Sequence, residues 1–308
     1  MADPSRTLLL TGATGLIGKE LAEPLLRAGF DVHAITIDRD NPDNGIHWIP
    51  GSLFDEAFVR DTIDALRPAY LLNMAWATTG DYLVSDINYS FLVAGIHLAR
   101  RFAAAGGRRA VYAGTCFEYR FRDEPLREDG PLEAGRNNYT FCKNALHEIA
   151  GRVFAAAGVS FGYGRIFYVY GRRENNTRLG GRLVDRLLRG ERVGITAGSL
   201  RRDYIYARDI AGAFAALLDS AVEGPVNIGT GEAVTLRDFA LAFARRIGRE
   251  DLLDFADDIA GQPPLIVADA TRLREEVGYR PRYSLDEAIG EILDSAQTSC
   301  CAGCVRKS

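Results

Sequence analysis

Three side chains at short, ordered intervals could move a proton: Thr115, Tyr139 and Lys143. Tyr139 and Lys143 are four residues apart in Asn137-Asn138-Tyr139-Thr140-Phe141-Cys142-Lys143, so a helix would set them one turn apart on one face. Thr115 precedes Tyr139 by twenty-four residues, at the end of an apolar run. A phenol has a reference pKa near ~10, too high for proton exchange at neutral pH, and an adjacent ammonium favours the phenolate. Tuned toward the operating pH, such a phenol serves as general acid and base. With Thr115 bonded to the same oxygen, the set could exchange a proton with a substrate oxygen. Tyr-x-x-x-Lys alone is common on exposed helices, and its meaning depends on the residues upstream.

Upstream stands Thr11-Gly12-Ala13-Thr14-Gly15-Leu16-Ile17-Gly18, with glycines every three residues between an apolar run and a helical pattern. Missing side chains let the backbone turn tightly, approach a pyrophosphate and pack a helix on a sheet. The helix start then offers unpaired N–H groups to phosphates.

The elements that must position these groups alternate. Strands are expected at 6–10, 31–37, 69–74, 110–113 and 160–167, with helices at 16–28, 55–66, 88–105 and 140–157. Strands separated by helices predict right-handed crossovers and a doubly wound, Rossmann-type α/β sheet. Beyond Gly171 the pattern loosens. Helices are read at 182–188, 209–220, 236–247 and 285–295, with a short strand and turn at 226–229. We divide the chain into a dinucleotide-binding part, 1–168 with a returning segment near 203–222, and a smaller interleaved substrate lobe, 169–202 and 223–298. Residues 299–308 read as a disordered tail.

At 308 residues, 47% hydrophobic and 25% charged, the chain has the composition of an ordinary globular protein with ample core. A formal charge of −4 with no basic block argues against a nucleic-acid binder. No apolar run reaches membrane-spanning length, and the first residues lack a signal-peptide core, so a cytoplasmic protein is expected. Three of the five cysteines, Cys300, Cys301 and Cys304, crowd the end of the chain. Cys301-x-x-Cys304 has no second ligand pair near it, so no metal site is expected.

The glycine spacing, Thr115 with Tyr139-x-x-x-Lys143, and four later segments resemble the extended short-chain dehydrogenase/reductases, in their nucleotide-sugar epimerase, dehydratase and 4-ketoreductase branch. The later segments are Arg165 to Gly171, Arg202-Asp203-Tyr204-Ile205-Tyr206, Asn227-Ile228-Gly229-Thr230-Gly231, and Leu273 to Pro281. The resemblance covers about residues 6–293. It implies that Tyr139 is the general acid/base, that Lys143 lowers its pKa and holds the nicotinamide ribose, and that Thr115 binds the reacting oxygen. It implies cofactor contacts from Gly12, Thr14, Gly15, Leu16, Ile17, Gly18, Ala75, Tyr139, Lys143 and Phe167. Ser52 and Leu53 fall in the adenine-side segment, where Asp55 is an adenine contact, a helix N-cap, or both. Arg202 matches an arginine that grips the substrate diphosphate, a task suited to a planar guanidinium. Cys116, Phe117 and Tyr168 are expected at the sugar. Trp76 is either a wall of that pocket or plain core. Asn88 matches an asparagine that braces the catalytic helix.

Departures from the family pattern bear on the reaction. NAD-preferring members end the second strand with an acid that binds the ribose 2′-hydroxyl; here that position is Thr36, with Arg39 close behind. This favours NADP(H), unless Asp38 takes the acid's place and restores NAD(H). Dehydratases of the branch carry Asp-Glu directly after the threonine, where this chain has Cys116 and Phe117. Reductases that also epimerise place a cysteine and a histidine where Phe117 and Arg182 stand. The expectation is NADPH-dependent reduction of a nucleotide-linked 4-keto-6-deoxy sugar; the alternatives are NAD-dependent 4-epimerisation and a non-catalytic dinucleotide sensor. A homodimer is expected through a four-helix bundle of the helices at 88–105 and 140–157, whose small residues Ala94, Gly95, Ala103, Ala104, Ala145 and Ala150 permit close approach.

Overall fold

Short apolar runs that end in glycine or a polar turn become the strands of one parallel sheet. The computed structural model describes residues 4–133, 135–256 and 261–305. The strands of its first part are β1 (Thr7–Thr11), β2 (Asp31–Thr36), β3 (His47–Pro50), β4 (Tyr70–Asn73), β5 (Arg109–Thr115) and β6 (Ser160–Ile166). Then come the short β7 (Tyr168–Tyr170), β8 (Val193–Ile195), β9 (Arg201–Arg202) and β10 (Tyr204–Tyr206), and finally β11 (Gly224–Ile228). Seven of them form the sheet in the order β11-β6-β5-β4-β1-β2-β3, all parallel. The order reverses between β1 and β4, which opens a crevice at their carboxyl ends, the place where such sheets bind ligands.

Both faces of the sheet are covered, so β1 and β5 are buried along their whole length. Helices α1 (Ala22–Arg27) and, from later in the chain, Ala207–Asp219 pack on one face around Leu10, Val32 and Phe214. On the other, α2 (Glu56–Leu66), α3 (Ile87–Ala104) and α4 (Asn138–Ala157) surround Leu9, Phe102, Leu146 and Phe154. A third apolar cluster belongs to the smaller lobe. There α5 (Leu179–Leu188) meets the helices Leu236–Ile247 and Leu285–Val305 around Leu183, Phe239, Phe243 and Ile289.

Four expectations change. The single helix at 16–28 is a 3₁₀ turn, Gly18–Glu20, followed by the six-residue α1. Pro24 lies in its first turn, where a missing N–H costs nothing. β3 was not anticipated: it is a four-residue edge strand of mixed exposure, too short to show alternation. β11 is the outer strand of the main sheet, paired with β6, so residues 224–228 belong with the dinucleotide-binding part and not with the lobe. Finally, the last helix continues to Val305, so 299–305 is helical backbone where a disordered tail was expected; 306–308 lie outside the described residues. No helix among the described residues is long and apolar enough to cross a membrane.

Candidate active site

β5 delivers Thr115 to the crevice and α4 delivers Tyr139 and Lys143. Asn137 caps α4 by accepting from the Thr140 amide at 2.9 Å, which fixes where the helix begins. Tyr139 and Lys143 then fall on its buried side, 6% and 4% exposed. Thr115 and Tyr139 both line the crevice, and the Thr115 hydroxyl, which accepts from the Phe117 amide at 3.3 Å, lies close enough to Tyr139 to favour its phenolate. Burial nevertheless holds the Tyr139 phenol well above its ordinary pKa, and Thr115 offsets only part of that. Lys143, expected to supply the rest, directs its ammonium elsewhere: Nζ donates to the Ala113 carbonyl at 2.8 Å and sits 3.9 Å over the Trp76 ring. Burial brings Lys143 down to about 7, against which Glu118 pulls upward.

Glu118, to which the sequence assigned no role, supports Thr115 from below. It is fully buried and accepts from the Thr115 amide at 2.8 Å, from the Tyr163 hydroxyl at 2.9 Å and from Arg165 Nε at 3.0 Å. With Thr115 it forms a capping box around the 3₁₀ turn Cys116–Glu118. Thr115 is therefore seated on a buried ion pair. A Glu three residues after a Thr was the available signal.

A cavity of about 740 Å³ opens over this cluster. It runs from the glycine loop (Gly12, Gly15, Leu16, Ile17, Gly18) past Thr115, Tyr139 and Lys143 to Arg202 at the far side. Trp76, Cys116, Phe117, Phe167 and Tyr168 line it. Trp76 is pocket wall, held by donating from Nε1 to Asn88 Oδ1 at 2.8 Å. Asn88 also donates to the Tyr82 and Ser85 carbonyls, so it braces that wall and its loop. Cys116 is buried and its thiol pushed far up, which makes it an inert surface. Arg202 lies against the Tyr168 ring at 5.6 Å and donates to the Arg201 and Pro263 carbonyls. Lining residues not anticipated include Tyr82, Glu174, Arg178, Tyr204 and Gln262. Tyr82 packs edge-on against Tyr139 at 5.1 Å, and burial raises the Glu174 carboxyl to about 7.

The glycine loop fits a dinucleotide. Gly12 has φ +74°, and a Cβ there would stand 2.7 Å from the Ala75 amide nitrogen. A Cβ on Gly18 would collide with the Gly12 carbonyl. These two glycines close the loop upon itself and upon β4. Gly15 differs: a Cβ there would meet only the Gly12 carbonyl, at 3.4 Å, and otherwise project into open space. The loop backbone is thus bare on the cavity side, as a pyrophosphate requires.

The sequence profile described as the NAD dependent epimerase/dehydratase family matches residues 8–229. This chain belongs to that family. It is 26% identical to the UDP-glucose 4-epimerase of Mycolicibacterium smegmatis over 313 residues, which span 93% of this chain and 97% of the other. Its fold is shared with the UDP-glucose 4-epimerase of Thermus thermophilus solved with NAD (TM-score 0.83, 26% identity, 94% and 99% of the two chains). It is shared equally with MoeE5 solved with UDP-glucuronic acid and NAD (TM-score 0.81, 26% identity, 95% and 99%).

The remaining expected cofactor residues of this epimerase/dehydratase fold lie away from the cavity wall. Thr36 is buried at the end of β2, where its hydroxyl accepts from the Asp38 amide at 3.0 Å and meets Asn41 Oδ1 at 3.4 Å. Asp38 and Arg39 are exposed just beyond. Ser52 accepts from the Phe54 amide, Leu53 packs on the core, and Asp55 is the N-cap of α2, accepting from Phe58 at 3.0 Å. Ala75 donates to the Thr11 hydroxyl at 3.4 Å, and Thr14 occupies the loop between Gly12 and Gly15.

Proposed function

We infer that this chain transfers a hydride at carbon 4 of a nucleotide-diphosphate sugar, with Tyr139 exchanging the proton. The observation that carries this reading is a single cavity that joins a dinucleotide loop, past Thr115, Tyr139 and Lys143, to Arg202. Gly12, Gly15 and Gly18 would hold the pyrophosphate of the cofactor, and Lys143 its ribose. The nicotinamide, when bound, supplies or accepts the hydride. Thr115 fixes the sugar oxygen, Tyr139 gives it a proton, and Arg202 takes the diphosphate through charge-assisted hydrogen bonds. Lys143, brought to about 7 by burial, can return a proton to the phenolate at neutral pH.

Of the two outcomes of that chemistry, the end of β2 favours NADPH-dependent reduction of a 4-keto-6-deoxy sugar. Thr36 stands where an acid would repel a 2′-phosphate, and Arg39 is exposed three residues beyond it. The second reading, reversible 4-epimerisation on NAD, is supported by the relatives named above, which are UDP-glucose 4-epimerases or were solved with NAD. One experiment separates them. NADPH consumption is followed with UDP-, dTDP-, CDP- and GDP-4-keto-6-deoxyhexoses, and interconversion of UDP-glucose and UDP-galactose is followed with NAD. Consumption of NADPH with one of the keto sugars is expected. Interconversion without net change in the cofactor would establish the epimerase, and neither activity would return the chain to a sensor.

We place the dimer interface on α3 and α4, for a reason that differs from the one the sequence suggested. Ala94, Gly95 and Ala150 are buried within the subunit, and a Cβ on Gly95 would press on Leu146, so these small residues let α3 approach α4. The outward face of the pair carries exposed Tyr89, Val93, Phe141 and Ile149. An apolar patch of this kind marks an interaction surface. Light scattering at micromolar protein should give twice the monomer mass, and a Val93→Glu variant should give the monomer.

A further inference from the structure

Two strands at the far edge of the sheet bring three metal-ligating side chains together, although the sequence reading expected no metal site. β2 and β3 pair in parallel with His33 opposite His47, and Asp31, two residues before His33, shares its side of the sheet. Asp31 holds both rings: its Oδ2 is 3.0 Å from His33 Nε2 and its Oδ1 3.3 Å from His47 Nε2. The two imidazoles stack with centroids 4.7 Å apart and planes 25° from parallel. One ligand atom from each residue lies within 4.8 Å of the other two.

We propose that Asp31, His33 and His47 form a binding site for a divalent cation of the zinc class. Nitrogen and carboxylate ligands stand about 2.0–2.2 Å from tetrahedral zinc, so neighbouring ligand atoms are separated by roughly 3.3 Å. Asp31 sets one carboxylate oxygen 3.0 Å from His33 Nε2 and the other 3.3 Å from His47 Nε2, close to that spacing, and the His47 side chain, 65% exposed, has room to turn toward a shared ion. Two imidazoles and one carboxylate suit zinc and its transition-metal neighbours and not magnesium or calcium. Three protein ligands leave a fourth position for water. The site lies at the amino ends of β2 and β3, whereas the catalytic cavity lies at the carboxyl ends of the strands, so the ion would be a clamp. It would fasten the four-residue edge strand β3 to β2, and β3 leads directly into the Gly51-Ser52 segment. The spacing hid the site: the ligands are two and fourteen residues apart and are joined only by strand pairing.

The test uses the full chain after chelator treatment, titrated with Zn²⁺ alone and followed through its histidine ring NMR signals. Only four histidines are present, so the spectrum is simple. His33 and His47 should shift with one equivalent of Zn²⁺, while His97 and His147 stay unchanged. His47→Gln, an exposed position that spares the fold, should weaken Zn²⁺ binding by about tenfold or more and abolish the rise in melting temperature that Zn²⁺ gives the parent protein. Unmoved His33 and His47 signals, or an unchanged Zn²⁺ affinity in His47→Gln, would overturn the proposal. Binding that survives in His47→Gln and vanishes on replacing Cys301 and Cys304 would assign the metal to the cysteine tail instead.

Discussion

The ammonium of Lys143 stands 3.9 Å above the ring of Trp76 and 5.9 Å from the centre of the Tyr139 ring. An aromatic face and one carbonyl are weak substitutes for water around an ammonium, which is why burial brings Lys143 to about 7. The cation that the reaction needs is therefore poised to lose its proton at neutral pH until a ligand adds negative charge nearby.

Lys143 should titrate near pH 7 in the unliganded protein. The chain has three lysines, Lys19, Lys143 and Lys307, so ¹³C-lysine NMR can follow each. The unfolded-state value is 10.5 and the folded value about 7, so between these pH values the unfolded chain binds a proton that the folded chain does not. Stability should rise with pH through that window. Lys143→Met should lack the rise in urea melts.

Replacing Tyr139 by Phe removes the proton and keeps the ring packed against Tyr82 and Trp76. Turnover should fall by about 10²–10⁴-fold, with cofactor affinity unchanged in a fluorescence titration. A variant with near-parental turnover would remove Tyr139 from the mechanism.

Glu118→Gln should destabilise the fold by about 3–5 kcal/mol, because Arg165 would be left charged and unpaired where its side chain is 2% exposed. Loss of the Glu118 charge also lowers Lys143 further, so the alkaline limb of kcat/KM should move to lower pH. Urea unfolding and the pH–rate profile read the two effects separately.

The loop glycines should divide into two classes. Gly15→Ala should fold with a melting temperature near the parent's and bind cofactor more weakly, since its Cβ projects into open space on the cavity side. Gly12→Ala should lower the melting temperature itself, because φ +74° and the Ala75 amide at 2.7 Å leave no place for a methyl group. Thermal melts with and without cofactor distinguish these outcomes.

What could be read from the residues followed from periodicity and from short motifs. β1, β2, β4 to β6 and the helices on both faces announce themselves because each is long enough to show its pattern. Thr115, Tyr139, Lys143 and the glycine loop were legible because their spacing is local. Glu118 left only the local trace of a capping box, and Tyr82 and Glu174 left none, because a carboxylate or phenol reveals its burial only when distant segments close around it. The same holds for Asp203. It accepts from the Thr230 and Gly231 amides and from the Ala268 amide, a contact that joins three stretches of chain. β3 and β7 to β9 are two to four residues long, and strands that short are specified by their partners.

The pairing of β11 with β6 has a consequence for how such a protein can change over time. The chain leaves the main sheet after β6, builds part of the small lobe, returns through Ala207–Asp219 and β11, and then leaves again. The lobe is stitched from separate pieces, so no single cut releases it and no simple recombination exchanges it for another. New substrate preferences in this architecture must arise by replacement at individual wall positions such as Phe117, Tyr168 and Glu174, while the sheet that carries them stays whole.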